Sequence, residues 1–288
     1  MENSPGDPAL RLGCQTFTWE MLGEAWTGGP DDYVAAIAAA GYAGIEISDN
    51  MIGDYAGRPA DLARRLSDAG LTLVGFAAGA PSGYTEAGQV AGDLDRTRRW
   101  LEFLGHFPGA VLSMGSATVV SPGERAAKFA VAAEVYNHAA ALGRAEGVPV
   151  AVHPSSHHGT LLFDRADYDA LFARLEPGVG WVPDTGHILR GGMAPSEVLA
   201  AHRARIRYLH LKDVDEAGAW AMLGEGVCDI PGVVAAVRAA PGFNGWIVAE
   251  EEAAAARADP AAAVRTDFET LGDLGLTAGP DRAQGRAG

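Results

Sequence analysis

The chain has 288 residues, of which 48% are hydrophobic and 20% charged, and its formal net charge is −15. This length and composition suit either one α/β barrel or two ordinary domains with a sizeable core. The negative charge repels phosphate backbones and argues against a nucleic-acid-binding protein. No apolar run reaches the roughly 18 residues that span a bilayer, so we expect no membrane association.

The two cysteines, Cys14 and Cys228, lack metal-site spacing and are too few for a disulfide framework. A reducing cytoplasm is therefore the expected location. Residues 1–10 have neither the basic nor the apolar region of a signal peptide. Residues 277–288 are rich in Gly, Ala and Arg, and we expect a flexible C-terminal tail there.

Strand-like and helix-like segments alternate along residues 1–276. Apolar runs predict eight strands, at residues 10–16, 44–48, 71–76, 110–114, 148–152, 180–184, 206–211 and 245–250. Amphipathic patterns with start and stop signals predict eight helices, at residues 30–40, 59–69, 93–106, 122–146, 164–175, 195–202, 230–240 and 261–274. Residues 77–92, rich in Gly and Ala, are expected to form a long loop or to be disordered.

This alternation, with short connections, indicates parallel βαβ units. Since no linker divides the chain, we predict a single (β/α)8 TIM barrel of the α/β class over residues 1–276. An open, doubly wound sheet is the alternative. It is disfavoured because no glycine-rich phosphate loop follows the first strand.

Four of the predicted strands end in side chains that bind metals, namely His153, Asp184, His210 and Glu250. The carboxyl ends of the strands in a parallel barrel meet at one mouth, so the four side chains are expected to share one ion. Imidazole and carboxylate ligands suit Mn²⁺, Co²⁺, Mg²⁺ or Zn²⁺ without selecting among them. One histidine at a strand end is usually structural, whereas four such groups favour a shared divalent metal.

Two further side chains follow the predicted ligands closely. His187, three residues after Asp184, is expected to hydrogen-bond a substrate oxygen, since four ligands are already supplied. Lys212 would stabilise an enolate or donate a proton. The alternative for Lys212 is a solvated side chain that pairs with Asp213. Glu250 is the first candidate for the base that removes a proton next to a carbonyl.

Candidate substrate-binding residues lie in other parts of the chain. Glu46 alternates with isoleucines in an apolar strand and needs a partner there, either an arginine or a substrate hydroxyl. Trp19 belongs to an aromatic segment that either lines a pocket or packs within a loop. Arg190 and Lys212 could meet a substrate phosphate, but no phosphate motif is clear, and an unphosphorylated substrate is favoured.

Four motifs occur in order along the second half of the chain: Asp184-Thr-Gly-His187, His210-Leu-Lys-Asp213, Leu223-Gly-Glu-Gly226 with Asp229, and Gly245-Trp-Ile-Val-Ala-Glu250. Together they resemble the xylose isomerase-like family of sugar-phosphate isomerases and epimerases. The resemblance implies a barrel with a divalent metal at its mouth, which holds two oxygens of a sugar or cyclitol. Members of this family often pair, so a homo-oligomer is a further expectation.

His153 departs from the family pattern. The resemblance to sugar 3-epimerases implies a glutamate at the end of the fifth strand, where it serves as ligand and as acid–base group. The segment Ser156-His-His-Gly-Thr160 is similar instead to the His-rich segment of inosose dehydratases. His157 or His158 is therefore a candidate for the missing proton transfer, with His158 as the catalytic candidate and His157 as a candidate for substrate binding.

These observations leave several functions to weigh. The first is a metal-dependent isomerase or epimerase that forms an enediolate of a sugar or polyol. The alternative is a dehydratase of a keto-cyclitol, which would pass through the same intermediate. A DNA-repair endonuclease is disfavoured by the negative charge. A barrel that only binds sugar would be expected to have lost ligands, and all four are present here.

Overall fold

Eight parallel strands form one sheet in the computed structural model, which describes residues 9–157 and 159–276. The strands are β1 Arg11–Gln15, β2 Gly44–Ser48, β3 Thr72–Ala78, β4 Val111–Met114, β5 Val150–Val152, β6 Gly180–Trp181, β7 Leu209–Leu211 and β10 Trp246–Ala249. A separate antiparallel hairpin consists of β8 Asp213–Val214 and β9 Trp220–Ala221. The strand order β6-β5-β4-β3-β2-β1-β10-β7 places β6 and β7 at the two ends of the sheet.

The two end strands are joined by isolated parallel bridges. One bridge pairs Trp181 with Ile206, and the other pairs Asp184 with His210. The peptide N–H of His210 donates to the carbonyl of Pro183 at 2.8 Å. The predicted TIM barrel is therefore confirmed, and its closure lies directly beside two of the predicted ligands.

The helices alternate with the strands around the barrel. They are α1 Phe17–Glu20, α2 Pro30–Ala40, α3 Pro59–Asp68, α4 Val90–Leu104, α5 Arg125–Glu146, α6 Arg165–Phe172, α7 Thr185–Arg190, α8 Pro195–His202, α9 Ile230–Arg238, α10 Ala254–Ala258 and α11 Pro260–Asp273. The proline and glycine signals act as predicted in α2, which has Pro30 in its first turn and ends at Gly41 with φ +106°.

A compact group of large side chains fills the barrel interior beneath the mouth. The group comprises Val74, Val111, Ala151, Val182, Tyr208, Trp246 and Val248. Gly44 makes room for Trp246, because a Cβ at Gly44 would lie 2.6 Å from the indole. The interior is thus a packed core, and the site opens at the carboxyl ends of the strands.

The loop expected at residues 77–92 is present but shorter, since it connects β3 to α4 over residues 79–89. Strand β3 continues to Ala78, and α4 already begins at Val90. Tyr84 is buried at φ +58°, and its hydroxyl donates to the carbonyl of Ala78 at 2.9 Å. These contacts hold the connection against the barrel. The predicted tail at 277–288 lies outside the described residues, within which no helix is long and apolar enough to cross a membrane.

Candidate metal centre

The four predicted ligands come together at the mouth of the barrel, and these four side chains are called the metal group below. His153 follows β5, His210 lies in β7 and Glu250 follows β10. Asp184 lies three residues beyond the end of β6, where it forms the isolated bridge with His210. One ligand atom from each lies within 4.8 Å of the others. Because each side chain stands at the end of its strand, the barrel frame alone sets this convergence.

The donor atoms face one another closely. His153 Nε2 lies 2.9 Å from His210 Nδ1, which is also 2.6 Å from Glu250 Oε2. Asp184 Oδ2 lies 3.7 Å from His153 Nε2 and 3.8 Å from His210 Nδ1. Two imidazoles and two carboxylates form a donor set that suits several divalent metals.

The hydrogen bonding of the Asp184 carboxylate indicates whether this donor set fits a cation. Its Oδ1 accepts a hydrogen bond from the peptide N–H of His187 at 2.8 Å and so caps α7. Its Oδ2 is buried and has no hydrogen-bond partner among the described residues. An unpartnered carboxylate oxygen is costly to bury, and a bound cation would remove that cost. The site therefore fits a metal ion.

Glu46 meets His210 from the opposite side. The Glu46 side chain is fully buried, and its Oε2 lies 2.6 Å from His210 Nε2 and 2.7 Å from the Tyr208 hydroxyl. Because a carboxylate accepts, Nε2 carries the proton that is donated to Glu46. This contact turns Nδ1 towards the metal group, as carboxylate partners of metal-binding histidines do. The partners of Glu46 in the protein are thus a histidine and a tyrosine, not the arginine considered from sequence.

Lys212 is buried between two carboxylates. Its ammonium lies 2.8 Å from Glu250 Oε1, also contacts the Glu252 carboxylate, and stands 4.6 Å from the centre of the Trp220 ring. Burial would lower the pKa of Lys212, but Glu250 and Glu252 outweigh it and hold the pKa above its usual value. Lys212 is therefore a fixed cation at neutral pH.

The expectation that Lys212 is solvated and pairs with Asp213 is wrong. Lys212 is 1% exposed, and the Asp213 carboxylate is occupied elsewhere. It accepts hydrogen bonds from peptide N–H groups of the loop after the hairpin, those of Gly224, Gly226 and Cys228. The motif residue Asp213 therefore organises a loop.

His187 lies beside the metal group, with its ring centre 5.8 Å from that of His153. Its Nδ1 accepts from the peptide N–H of Ser156 at 3.1 Å and lies 2.9 Å from the Ser156 hydroxyl. Burial lowers the pKa of His187, so its imidazole is neutral. Since Nδ1 accepts, the proton resides on Nε2. The contact of His187 with a substrate oxygen stays a prediction.

A cavity of about 340 Å³ opens beside these residues. His153, His187, His210 and Glu250 line one part of it. Other polar members of its wall are Gln15, Glu20, Glu46, Ser48, Asp49, Asn50, Ser113, Ser116, Thr118, Ser155, His157 and Glu252. Among the described residues that line it, none is lysine or arginine. The wall therefore offers hydroxyl, amide and carboxylate groups to a ligand.

Two predicted substrate-binding residues do not line this cavity. Trp19 is 2% exposed and packs against Trp26 and Tyr33, so the prediction of a pocket wall is wrong for this residue. Its neighbours Phe17 and Glu20 line the cavity instead, because the single turn of α1 directs Trp19 inwards. The Arg190 guanidinium stacks 4.6 Å above the Trp220 ring and is likewise not a lining residue. The predicted catalytic His158 lies outside the described residues.

Sequence reasoning missed Glu252 and Trp220. Glu252 follows Glu250 by two residues, and this alternating spacing after a strand could have indicated that both face the mouth. Trp220 lies on the hairpin, whose two-residue strands are too short to leave a pattern. Its position over Lys212 depends on Gly186, where a Cβ would lie 2.6 Å from the indole.

Comparison with known proteins agrees with this geometry. A family described as xylose isomerase-like TIM barrel matches residues 34–274. The chain belongs to this family. Among solved structures, a sugar phosphate isomerase/epimerase from Parabacteroides distasonis aligns with TM-score 0.74 at 18% identity, over 96% of this chain and 98% of that one. An IOLI protein with a bound zinc atom has TM-score 0.74 at 14% identity, over 93% and 98%. These likenesses show the fold.

Inosose dehydratases are similar in sequence. The enzyme of Geobacillus thermodenitrificans is 33% identical over 41% of this chain and 45% of its own length, so the matched part spans about half of that relative. The inosose dehydratase of Geobacillus kaustophilus is 26% identical over 87% of this chain and 90% of its own length. The resemblance predicted from the motifs is therefore confirmed at the level of the family.

Proposed function

We propose that the protein is a divalent-metal-dependent isomerase or epimerase of a sugar or related polyol. The observation that carries this proposal is the convergence of His153, Asp184, His210 and Glu250 beside the buried Lys212, in a cavity with polar walls. The proposed cofactor is one divalent ion, with Mn²⁺, Co²⁺, Mg²⁺ and Zn²⁺ as candidates.

The four ligands would hold the ion, which when bound acts as a Lewis acid towards a carbonyl group. Glu250 is the proposed base, since its carboxylate lies in the cavity wall where a substrate C–H would approach. Lys212 holds a positive charge next to this carboxylate and would offset negative charge that develops on the substrate. His187 would donate its Nε2–H to a substrate oxygen.

The substrate is proposed to be unphosphorylated. A phosphate would require lysine, arginine or peptide N–H groups that point at it. The cavity instead presents Glu20, Asp49 and Glu252 besides the metal group, and no lysine or arginine is among the described residues that line it. These groups suit the hydroxyls of a polyol.

A keto-cyclitol dehydratase is the second candidate, and His153 is the observation that favours it. The His153 Nε2 points into the metal group, so this imidazole is not free to serve as a second base for epimerisation. Loss of a β-hydroxyl needs an acid instead. His187, His157 or His158 would supply it. The sequence similarity to inosose dehydratases supports the same reading.

Elemental analysis of the purified protein, with Asp184→Ala and His210→Ala variants, tests the proposal. We expect about one divalent ion per chain, lost in both variants. A panel of ketoses and inososes would then separate isomerase from dehydratase activity. If no metal binds and added Mn²⁺ or Co²⁺ yields no activity, the metal-dependent mechanism is wrong and a sugar-binding barrel becomes the better reading.

A further inference from the structure

Glu46 is placed to act on two partners at once. Its side chain is 0% exposed to bulk solvent, yet it is among the residues that line the cavity beside the metal group. Its Oε2 accepts hydrogen bonds from both His210 Nε2 and the Tyr208 hydroxyl. Its Oε1 is buried and has no hydrogen-bond partner among the described residues. Oε2 is thus hydrogen-bonded within the protein, and Oε1 is available to a ligand.

The surrounding backbone is built to permit this arrangement. Gly75 on β3 lies beneath the pair, and a Cβ there would clash with the Tyr208 hydroxyl and lie 3.2 Å from Glu46 Cδ. The register between β2 and β3 also shifts at Glu46, which pairs with Gly75. Any larger residue at this position would push Glu46 or Tyr208 out of place. The carboxylate is therefore held by the frame on three strands.

An unpartnered acceptor of this kind calls for a donor from the ligand. Burying a carboxylate oxygen without a hydrogen bond is costly, and the cavity is the open side of this residue. A hydroxyl group can donate to it, whereas a phosphate or carboxylate would be repelled. A methylene at the same place would leave the oxygen unsatisfied.

We propose that Glu46 is a shared positioning and binding residue. Its Oε2 fixes the His210 tautomer that presents Nδ1 to the metal, and its Oε1 accepts a hydrogen bond from a hydroxyl of the substrate. The ligand class is therefore a polyol with a free hydroxyl close to the oxygens at the metal. This inference rests on the proposed function and assigns one of its specificity contacts.

The substitution Glu46→Gln separates the two roles. The amide oxygen can still accept from His210 and Tyr208, and the amide nitrogen then faces the cavity as a donor in place of an acceptor. We expect Mn²⁺ affinity within about tenfold of the wild type. Glu46→Ala removes both contacts and should weaken Mn²⁺ binding about 10- to 100-fold. Glu102→Gln, an exposed carboxylate on α4, is the matched surface control and should change neither property.

Two measurements read these variants. Calorimetric titration with Mn²⁺ alone gives metal affinity without turnover. Competition between a substrate and its monodeoxy analogues gives the ratio of their kcat/KM values. The substrate is inosose, or D-fructose if the ketose panel is active. For the wild type, one deoxy analogue should be poorer by about 10- to 100-fold, and Glu46→Gln should abolish that ratio.

Tyr208→Phe keeps the test valid if Glu46→Ala fails to fold. It removes one donor to Oε2 and leaves Oε1 unchanged, so hydroxyl discrimination should persist. Unchanged Mn²⁺ affinity in a folded Glu46→Ala variant overturns the positioning role. An intact deoxy ratio in Glu46→Gln overturns the binding role. A wild type that binds none of Mn²⁺, Co²⁺, Mg²⁺ and Zn²⁺ contradicts the proposed function itself. A wild type that binds one of these ions and turns over, with a Glu46→Gln variant that matches it in both measurements, contradicts only this inference.

Discussion

Replacing Lys212 by methionine should strongly destabilise the metal-free protein. Lys212 is 1% exposed, and its partners Glu250 and Glu252 have side chains only 6% and 8% exposed. Methionine preserves most of the volume but leaves two buried carboxylates side by side without their cation. Removing one partner of a buried ion pair typically costs about 3–5 kcal/mol, and we expect a loss of that size at pH 7.

The pKa of Glu250 determines how the destabilisation by Lys212→Met should depend on pH. Burial raises the pKa of Glu250, but Lys212 and His210 outweigh it and hold the pKa well below its usual value. A depressed folded pKa contributes stability that is fully present above the unfolded pKa of about 4.3 and is lost as the pH falls from there through the folded pKa. The difference in the free energy of unfolding between wild type and Lys212→Met should therefore narrow as the pH falls below about 4.

Urea unfolding in EDTA, followed by tryptophan fluorescence, measures the loss. Lys128→Met is the matched control, because Lys128 is also a buried lysine but pairs with one half-buried carboxylate, Glu86, away from the site. Its loss should be smaller. Adding Glu252→Gln to Lys212→Met should recover part of the stability. A loss below about 1 kcal/mol, or one that does not depend on pH, would refute the reasoning.

Three further outcomes are expected. Asp184→Asn keeps the cap on the N–H of His187 but loses a charge, so Mn²⁺ affinity should fall steeply in calorimetry while the melting temperature stays nearly unchanged. Gly186→Ala should cost about 1–3 kcal/mol in urea unfolding, because its Cβ would meet Trp220. Burial lowers the pKa of His210, yet Glu46 and Glu250 raise it to about 10 overall. Stability from this residue is therefore present below about pH 6.5 and lost towards pH 10, and Mn²⁺ affinity should rise about tenfold per pH unit between pH 7 and 9 as the bound proton is displaced. Titrations at three pH values check this slope.

The ligand set could be predicted because a parallel barrel converts strand ends into spatial neighbours. His153, Asp184, His210 and Glu250 are spread over nearly 100 residues of sequence, yet each closes an apolar run. Once the alternation of strands and helices indicates a barrel, the frame brings those ends to one mouth. No pairwise contact has to be guessed for this conclusion.

The partners of these residues could not be predicted in the same way. Glu46 and Tyr208 are 162 positions apart, and their contact depends on the shift in register at β2 and on Gly75. Trp19 was misplaced because a helix of a single turn has no periodicity to show which side faces the core. Lys212 follows His210 by two residues, and this spacing predicts that both side chains face the mouth of the barrel. Its burial, however, comes from Trp220 on a hairpin that the sequence does not reveal.

Three carboxylates of the site, those of Asp184, Glu250 and Glu46, share one arrangement: each binds the protein through one oxygen and leaves the other oxygen for a ligand. Asp184 uses Oδ1 to cap α7, Glu250 uses Oε1 to hold Lys212, and Glu46 uses Oε2 to hold His210. The tied oxygen fixes the rotamer, so the second oxygen is placed before any ligand arrives. Amide substitutions can preserve the tie while changing the second atom, which is why they distinguish positioning from chemistry where alanine would remove both.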